Sequence, residues 1–426
     1  MIGSTYPRHE ADYAVPWLRE TVRRLTERDH EVTVLAPAYA GLGRHRIDGV
    51  PVERFRYAPR GLEHLTHEQG APNRIRKPIY QALGAPYVAL GAVASARLAL
   101  RKRFDVIHAH WPFPHGPIAA AARAACGAPI VANCHGAEFA MAARKTWVQP
   151  LLRRALVGAD RLLANSRHTA ERVHRMSGRE AEVIPYGTTV RARPTPAPRN
   201  PVPRILFTGR LIQRKGVEYL IRAMPHILAS GPASLQITGD GDCRAGLECL
   251  TRELGLADSV QFLGFVDNKK LDALYAGCDV YVNPSIIDDN GDTEGLGVGP
   301  IEAFCHGRPV VASAVGGIVD VVIHERTGLL VPEKDPERLA GAIRRLIERP
   351  LEAKALAQAG LEYARRHFDW DRIVESLVDV YHGAIAERGS RGRSLTFRPA
   401  SAPLGVSSQL LSQVPNSFLP REGALP

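Results

Sequence analysis

DTEGLGVGPIEAFCHGRPVVASAVGGIVDVV, residues 292–322, joins a glycine-rich turn, a helix and an apolar strand. Glu294 and Glu302 stand eight apart in it, with Gly295, Gly297 and Gly299 between them. A turn of this kind running into a helix presents unpaired backbone N–H groups, suited to anionic or hydroxyl-rich ligands. A carboxylate at each end can accept from paired hydroxyls, as a sugar and a ribose present. Glutamates at this spacing also occur as solvated helix charges, so a second element has to decide. GRLIQRKG (209–216) supplies it. It follows a strand and sets Arg210 and Lys215 near that strand's carboxyl end. Two cations there suit a diphosphate, the arginine as a planar fork and the lysine as a point charge.

Around these elements the chain alternates strands and helices. In the second half RILFTGR (204–210), SLQITGDG (234–241), VQFLGFV (260–266), DVYVNPS (279–285), RPVVAS (308–313) and GLLVP (328–332) read as strands. In the first half EVTVLAP (31–37), FDVIHAH (104–110), PIVANCHG (129–136), DRLLANS (160–166) and AEVIPYG (181–187) do the same. Nearly continuous apolar runs suit a parallel sheet covered by helices on both faces. The expected organisation is a first α/β domain over 1–190 and a proline-stiffened linker over 191–203. A second α/β domain over 204–365 follows, then a helix over 366–387 packing back on the first, and a disordered tail over 388–426. Two such domains are expected to face a cleft at the carboxyl ends of their strands.

Composition narrows the class. At 426 residues, 45% hydrophobic and 23% charged, the chain is globular and long enough for large cores. Its six cysteines form no C-x-x-C pair, which argues against a disulfide framework or a zinc ribbon and fits a reducing cytosol. No apolar leader is visible in residues 1–10. The net charge of +11 is uneven: +11 over 1–190, +3 over 191–203, −7 over 204–387 and +4 over 388–426. A basic first half suits an anionic partner such as a membrane surface, a nucleic acid or a phosphorylated acceptor. Residues 78–96 carry no charge and lie between Arg74, Arg76, Lys77 and Arg97, Arg101, Lys102, Arg103. They are rich in Ala and Gly, so a buried or interfacial helix is expected rather than a span.

Taken in order, FTGRLIQRKGVEYLIRAMPHI, ITGDGD, FLGFVDNKKLDALYAGCDVYVNPS and the 292–322 segment resemble the donor-binding domain of family-4 retaining glycosyltransferases. TYPRHEADYAVPWLRETVRRLTERDHEVTVLAP, DVIHAHW, CHGAEF, ANSRHT and VIPYG resemble the same family, so that the likeness covers about residues 4–385. It implies the GT-B fold, with two Rossmann-like domains, and transfer of a sugar from a nucleotide-diphosphate sugar to a saccharide or lipid-linked acceptor. It implies that Arg210 and Lys215 neutralise the diphosphate, that Glu302 accepts from the ribose and that Glu294 holds a hydroxyl of the donor sugar. Gly295, Leu296 and Gly297 would assist through their backbone, and Gly209, Gly239 and Gly241 would line the nucleotide. Phe265 and Val266 would lie by the base, and His135 near the sugar. The catalytic set is then His135, Glu294, Arg210 and Lys215, with no covalent nucleophile. The D-x-D at Asp240 and Asp242 is read as a nucleotide-domain turn, so neither metal nor cofactor is required.

Two departures from the family are visible. Only Met1, Ile2 and Gly3 precede the TYP-like stretch, so the start is read as truncated or its start codon as set late, and a central strand is expected to be short. The loop EADYAVPW (10–17) lacks the paired glycines that usually approach the diphosphate. Competing readings are another GT-B enzyme, such as a nucleotide-sugar epimerase or a phosphorylase, and a non-enzymatic basic protein binding membrane or nucleic acid. The first would not share this R-x4-K and E-x7-E order. The nucleic-acid version lacks a basic motif interleaved with aromatics, and no nucleic-acid partner is expected.

Overall fold

The computed structural model describes residues 1–12, 14–66, 77–189 and 200–391, the last two by backbone only. Arg74, Arg76, most of the proline-rich linker and the tail beyond 391 lie outside the described residues. The chain forms two compact units: Met1–Gly187 with the helix that starts at Trp370, and Thr188–Asp369. The first therefore ends at Gly187 rather than 190. Thr188 already bridges to Asp369 and donates its N–H to Phe368 O at 2.7 Å.

The first unit opens with α1 (Pro16–Thr26), β1 (Val34–Pro37), β2 (His45–Ile47), β3 (Val50–Phe55), α2 (Pro78–Ala82) and α3 (Gly84–Lys102). It continues with β4 (Ile107–His110), α4 (Pro112–Cys126), β5 (Ile130–Cys134), α5 (Ala137–Arg144), α6 (Val148–Gly158), β6 (Arg161–Ala164), α7 (Arg167–Ser177) and β7 (Glu182–Val183). β4, β5, β6 and β7 pair in that order, all parallel. β1 pairs parallel with β3, and β2 closes an antiparallel hairpin on β3. Ile2 stitches the two sheets, bridging in parallel to Leu35 on one side and Ala109 on the other. Met1–Gly3 thus occupies the place of a central strand, in three residues. The hairpin turns on Asp48 and Gly49, both at positive φ (51° and 77°), as a two-residue turn between right-twisted strands requires.

The uncharged stretch forms α2 and α3. Tyr87, Gly91, Ser95 and Ala99 bury one face of α3 at helical spacing. A side chain at Gly91 would stand 2.6 Å from Ile118 of α4, so glycine there sets the closeness of the two helices. Leu90, Val93 and Leu100 on the opposite face stay exposed.

The second unit runs β8 (Arg204–Thr208), α8 (Val217–Leu228), β9 (Ser234–Thr238), α9 (Arg244–Glu253), β10 (Val260–Gly264), α10 (Asn268–Gly277), β11 (Val280–Asn283), α11 (Val298–Cys305), β12 (Val310–Ser313), α12 (Ile318–Val321), β13 (Leu329–Val331), α13 (Pro336–Glu348) and α14 (Pro350–His367). All six strands are parallel, in the order β10-β9-β8-β11-β12-β13. The order reverses between β8 and β11, and ligands of such sheets bind outside the strand ends at that reversal. Ile205, Leu206, Phe207, Val280, Tyr281 and Val282 form the buried centre of the sheet.

The last helix, α15 (Trp370–Arg391), belongs to the first unit and runs past Glu387. Trp370, Val374 and Leu377 bury against Leu25, Val131 and Leu163. Trp370→Ala should remove about 3–5 kcal/mol by opening this cluster, since Trp370 is almost wholly buried. Thermal unfolding, with amide exchange along α15, reads the effect. A loss below about 1 kcal/mol would show that the helix does not depend on this anchor.

Candidate nucleotide-sugar site

The two elements singled out in the sequence converge at the β8/β11 reversal. After β8 the chain passes Gly209 and Arg210 and closes a 3-10 turn over Gln213–Lys215. Gly216 then takes φ +62°, and a Cβ there would stand 2.0 Å from Pro284 O in the loop after β11. Ile286 N–H donates to Arg214 O at 2.8 Å, pinning the two loops together. The cationic turn is thus fastened to the loop that carries Glu294.

The fastening places charges against one another. Lys215 Nζ donates to Glu294 Oε2 in a close ion pair. Arg214 lies 3.3 Å from the same carboxylate and 3.6 Å from Asp292, and donates to Thr293 O. All three central side chains are largely buried, Lys215 at 15%, Arg214 at 17% and Glu294 at 11% exposure. Burial alone would raise the Glu294 pKa, but Lys215 and Arg214 outweigh it and hold the carboxyl at about 2. Arg210 is exposed and, among the described residues, forms no direct ion pair, though Glu294, Asp292 and Asp242 lie near enough to act on its charge. It remains the cation of this turn open to an incoming anion.

Glycines let backbones stack beneath the charges. A Cβ at Gly239 would stand 2.0 Å from Gly209 O, and one at Gly241 2.4 Å from Leu211 O. Gly239 and Gly241 therefore permit the R-x4-K loop to lie against the loop after β9. Gly316 and Gly317 do the same under the acidic loop, with Cβ positions 2.3 Å from Glu294 O and 2.1 Å from Gly295 O. Leu296 is buried, and Gly297, at φ +90°, starts α11 with no side chain capping it. The first N–H groups of α11 are thus free of a side-chain cap beside the Glu294 loop.

Glu302, on α11, is the second carboxylate. Tyr275 OH donates to its Oε2 at 2.7 Å, and Thr208 Oγ1, at the end of β8, lies 2.8 Å from the same hydroxyl. Burial raises the Glu302 pKa, with the Tyr275 hydrogen bond opposing it. Phe265 and Val266 follow β10 at the sheet edge, and Phe265 is 77% exposed. Asp240 accepts from Gly241 N at 2.8 Å and lies 3.4 Å from Arg244. Among the described residues no group of His, Cys, Asp and Glu is arranged to hold a metal ion.

His135 lies in the first unit, at the end of β5, and is buried. Its N–H donates to Glu138 Oε1 at 2.8 Å, and both ring nitrogens face protein partners, Tyr186 at 2.7 Å and His110 at 3.1 Å. Burial lowers its pKa to about 3, so the ring is neutral at physiological pH. The sequence reading missed Arg214, Tyr275 and His110. Arg214 was visible as a third cation beside Lys215, but spacing alone does not say that it faces Glu294.

Glu294→Gln should cost about 3–5 kcal/mol at pH 7, because it leaves Lys215 and Arg214 buried without their counter-charge. The wild-type carboxyl titrates near 2 when folded and near 4.5 when unfolded. Its contribution is therefore full above about pH 4.5 and falls away as the pH drops toward 2. Denaturant titrations at pH 7 and pH 3.5 should show the gap between variant and wild type narrowing at the lower pH. A constant gap would contradict the ion-pair account.

Comparisons with known proteins identify the family and the fold. Residues 15–191 match the family described as Glycosyltransferase Family 4, and residues 202–349 match Glycosyl transferases group 1. The chain is 30% identical over 387 residues to the GDP-mannose-dependent alpha-(1-6)-phosphatidylinositol monomannoside mannosyltransferase of Mycobacterium tuberculosis, covering 87% of this chain and 95% of that one. Among solved structures it resembles sucrose-phosphate synthase from Thermosynechococcus elongatus, with a TM-score of 0.72 at 24% identity over 91% of this chain and 98% of that one. It also resembles Anabaena HepE in complex with UDP, with a TM-score of 0.70 at 20% identity over 90% and 98%. With two α/β units, a parallel six-stranded sheet and these relatives, the chain belongs to the group 1, family-4 glycosyltransferases of the GT-B fold.

Proposed function

We propose that this glycosyltransferase binds a nucleotide-diphosphate sugar at the β8/β11 reversal and transfers the sugar with retention of anomeric configuration. The observation that carries the reading is the buried Lys215–Glu294–Arg214 cluster, with the exposed Arg210 close by and the start of α11 without a side-chain cap. Arg210 and Lys215 take the diphosphate and stabilise its charge as the sugar leaves, and Glu294 and Glu302 accept hydroxyls of the sugar and the ribose. Gly209, Gly239, Gly241, Gly295, Leu296 and Gly297 shape the loops around the donor, with Phe265 and Val266 at the base. His135 serves the reacting sugar from the first unit, and neither a metal nor a cofactor takes part. Arg210→Ala should lower turnover by about 10²-fold or more with thermal stability little changed, since Arg210 is exposed and forms no direct ion pair among the described residues. Near-normal turnover in that variant would overturn the assignment.

The acceptor in this reading is a saccharide or lipid-linked molecule of glycoconjugate or polysaccharide synthesis, met at the inner face of an anionic membrane. Support comes from the lipid acceptor in the name of the mycobacterial relative and from the surface of α3. Pro78–Lys102 is long and apolar enough by length and composition to cross a membrane, yet one face of α3 is packed on α4. Leu90, Val93 and Leu100 share the other face with Arg97 and Arg101, an arrangement that lies on a bilayer rather than spanning it. Each basic residue near an anionic surface adds about 1 kcal/mol, screened beyond ~10 Å at 0.1 M salt. The protein should therefore sediment with anionic vesicles at low salt and be released at high salt. Absence of binding at low salt would remove the membrane from the proposal.

A further inference from the structure

A second buried polar system lies in the first unit, built from histidines instead of ion pairs. His110 ends β4 and His135 follows β5, the neighbouring parallel strand. Their rings meet edge to edge, His110 Nδ1 lying 3.1 Å from His135 Nε2. On its far side His135 Nδ1 lies 2.7 Å from the Tyr186 hydroxyl, to which Asn165 Nδ2 also donates at 3.3 Å. Trp17 and Trp111 pack on His135 with ring centroids at 4.8 and 4.7 Å. His108 stacks on His110 at 4.2 Å and is itself tied to Tyr381 of α15 at 2.6 Å.

The positions of the ring hydrogens follow from the partners. His115 Nδ1 faces two carbonyls, His110 O at 2.7 Å and Trp111 O at 3.1 Å. Carbonyls only accept, so Nδ1 carries the hydrogen and Nε2 accepts from Tyr87 OH at 3.0 Å. His110 is settled by its other nitrogen. Its Nε2 is buried and has no hydrogen-bond partner among the described residues. If His135 donated to His110, the His110 hydrogen would sit on that Nε2 as a buried N–H with no acceptor. An abandoned buried donor of this kind is costly and is rarer than an unused acceptor. The hydrogen therefore sits on His110 Nδ1 and points at His135 Nε2.

We infer that His110 is a positioning residue that locks His135 as its Nδ1–H tautomer, with the His135 Nδ1–H donating to Tyr186. The consequence bears on the chemistry of the first unit. The Nε2 lone pair of His135 is occupied, so His135 does not act as a general base through that nitrogen. Its ring instead offers a fixed, neutral edge between two tryptophans. The catalytic weight of this lock rests on the reading of His135 as a residue of the transferase site; the tautomer itself does not.

The whole chain labelled with 15N-histidine, examined at neutral pH by long-range 1H–15N correlation, tests the lock. The His135 signals are identified by their loss in His135→Gln. Wild type should show the Nδ1–H pattern at His135. His110→Asn keeps an amide N–H where Nδ1 stood and should preserve that pattern. His110→Leu removes the donor and should shift His135 toward the Nε2–H form. Release of nucleotide from UDP-glucose or GDP-mannose should stay within about threefold of wild type in the Asn variant and fall at least tenfold in the Leu variant. An Nε2–H pattern in wild type, or identical His135 patterns in the Asn and Leu variants, would overturn the proposal. If the Leu variant does not fold, the wild-type pattern alone decides. The expected patterns with unchanged turnover would sustain the lock and sink the assignment of His135 to the site.

Discussion

The ion pair between Lys215 and Glu294 is the constraint on which the site depends. The two residues come from loops after β8 and β11, which are far apart in sequence and adjacent only because the strand order reverses there. Burying one ammonium alone, or one carboxylate alone, would be too costly to keep either charged. Together, with Arg214 as a second cation, they form an assembly in which Glu294 stays ionised far below ordinary carboxyl pKa values. Asp292, 3.6 Å from Arg214, balances the second cation, and the exposed Arg210 beside them carries the charge that the proposed donor diphosphate would meet.

Glycine makes this arrangement sterically feasible. Gly216 lets the cationic turn lie against Pro284, Gly239 and Gly241 let it lie against the loop after β9, and Gly316 and Gly317 support the acidic loop from below. Each stands where a Cβ would fall within 2.4 Å of another backbone carbonyl oxygen. The glycines here are explained by backbone meeting backbone, and the loops they bring together then present side chains to a ligand. The first unit solves its own polar problem differently. Its buried histidines are neutral and meet their neighbours through hydrogen bonds instead of charge pairs, with His110 Nε2 left without a partner among the described residues.

Much of this was legible in the sequence for physical reasons. Strands of a parallel sheet are buried on both faces, so RILFT, VYVN and VVAS announce themselves as continuous apolar runs. The R-x4-K spacing falls in the segment after β8, and the E-x7-E spacing runs from the loop after β11 into α11, so both lie beside the sheet reversal. Pairings between distant residues were not legible. Tyr275 reaches Glu302, and His110 reaches His135, through strand and helix neighbours that no local pattern encodes. The β2–β3 hairpin is a different case. Asp48–Gly49 between apolar residues is a hairpin signal, but the flanking strands are short and carry His45, Arg46, Glu53 and Arg54 among their apolar residues, which blurs the alternation.

The most direct test of the central claim is a thermal-shift series on the whole chain with UDP, GDP and ADP. Ligand at 100 times its dissociation constant should stabilise the protein by roughly 2.7 kcal/mol. The account predicts such a shift for at least one of the three, strongly reduced in the Arg210→Ala variant. No shift with any nucleotide, or an equal shift with and without Arg210, would contradict it.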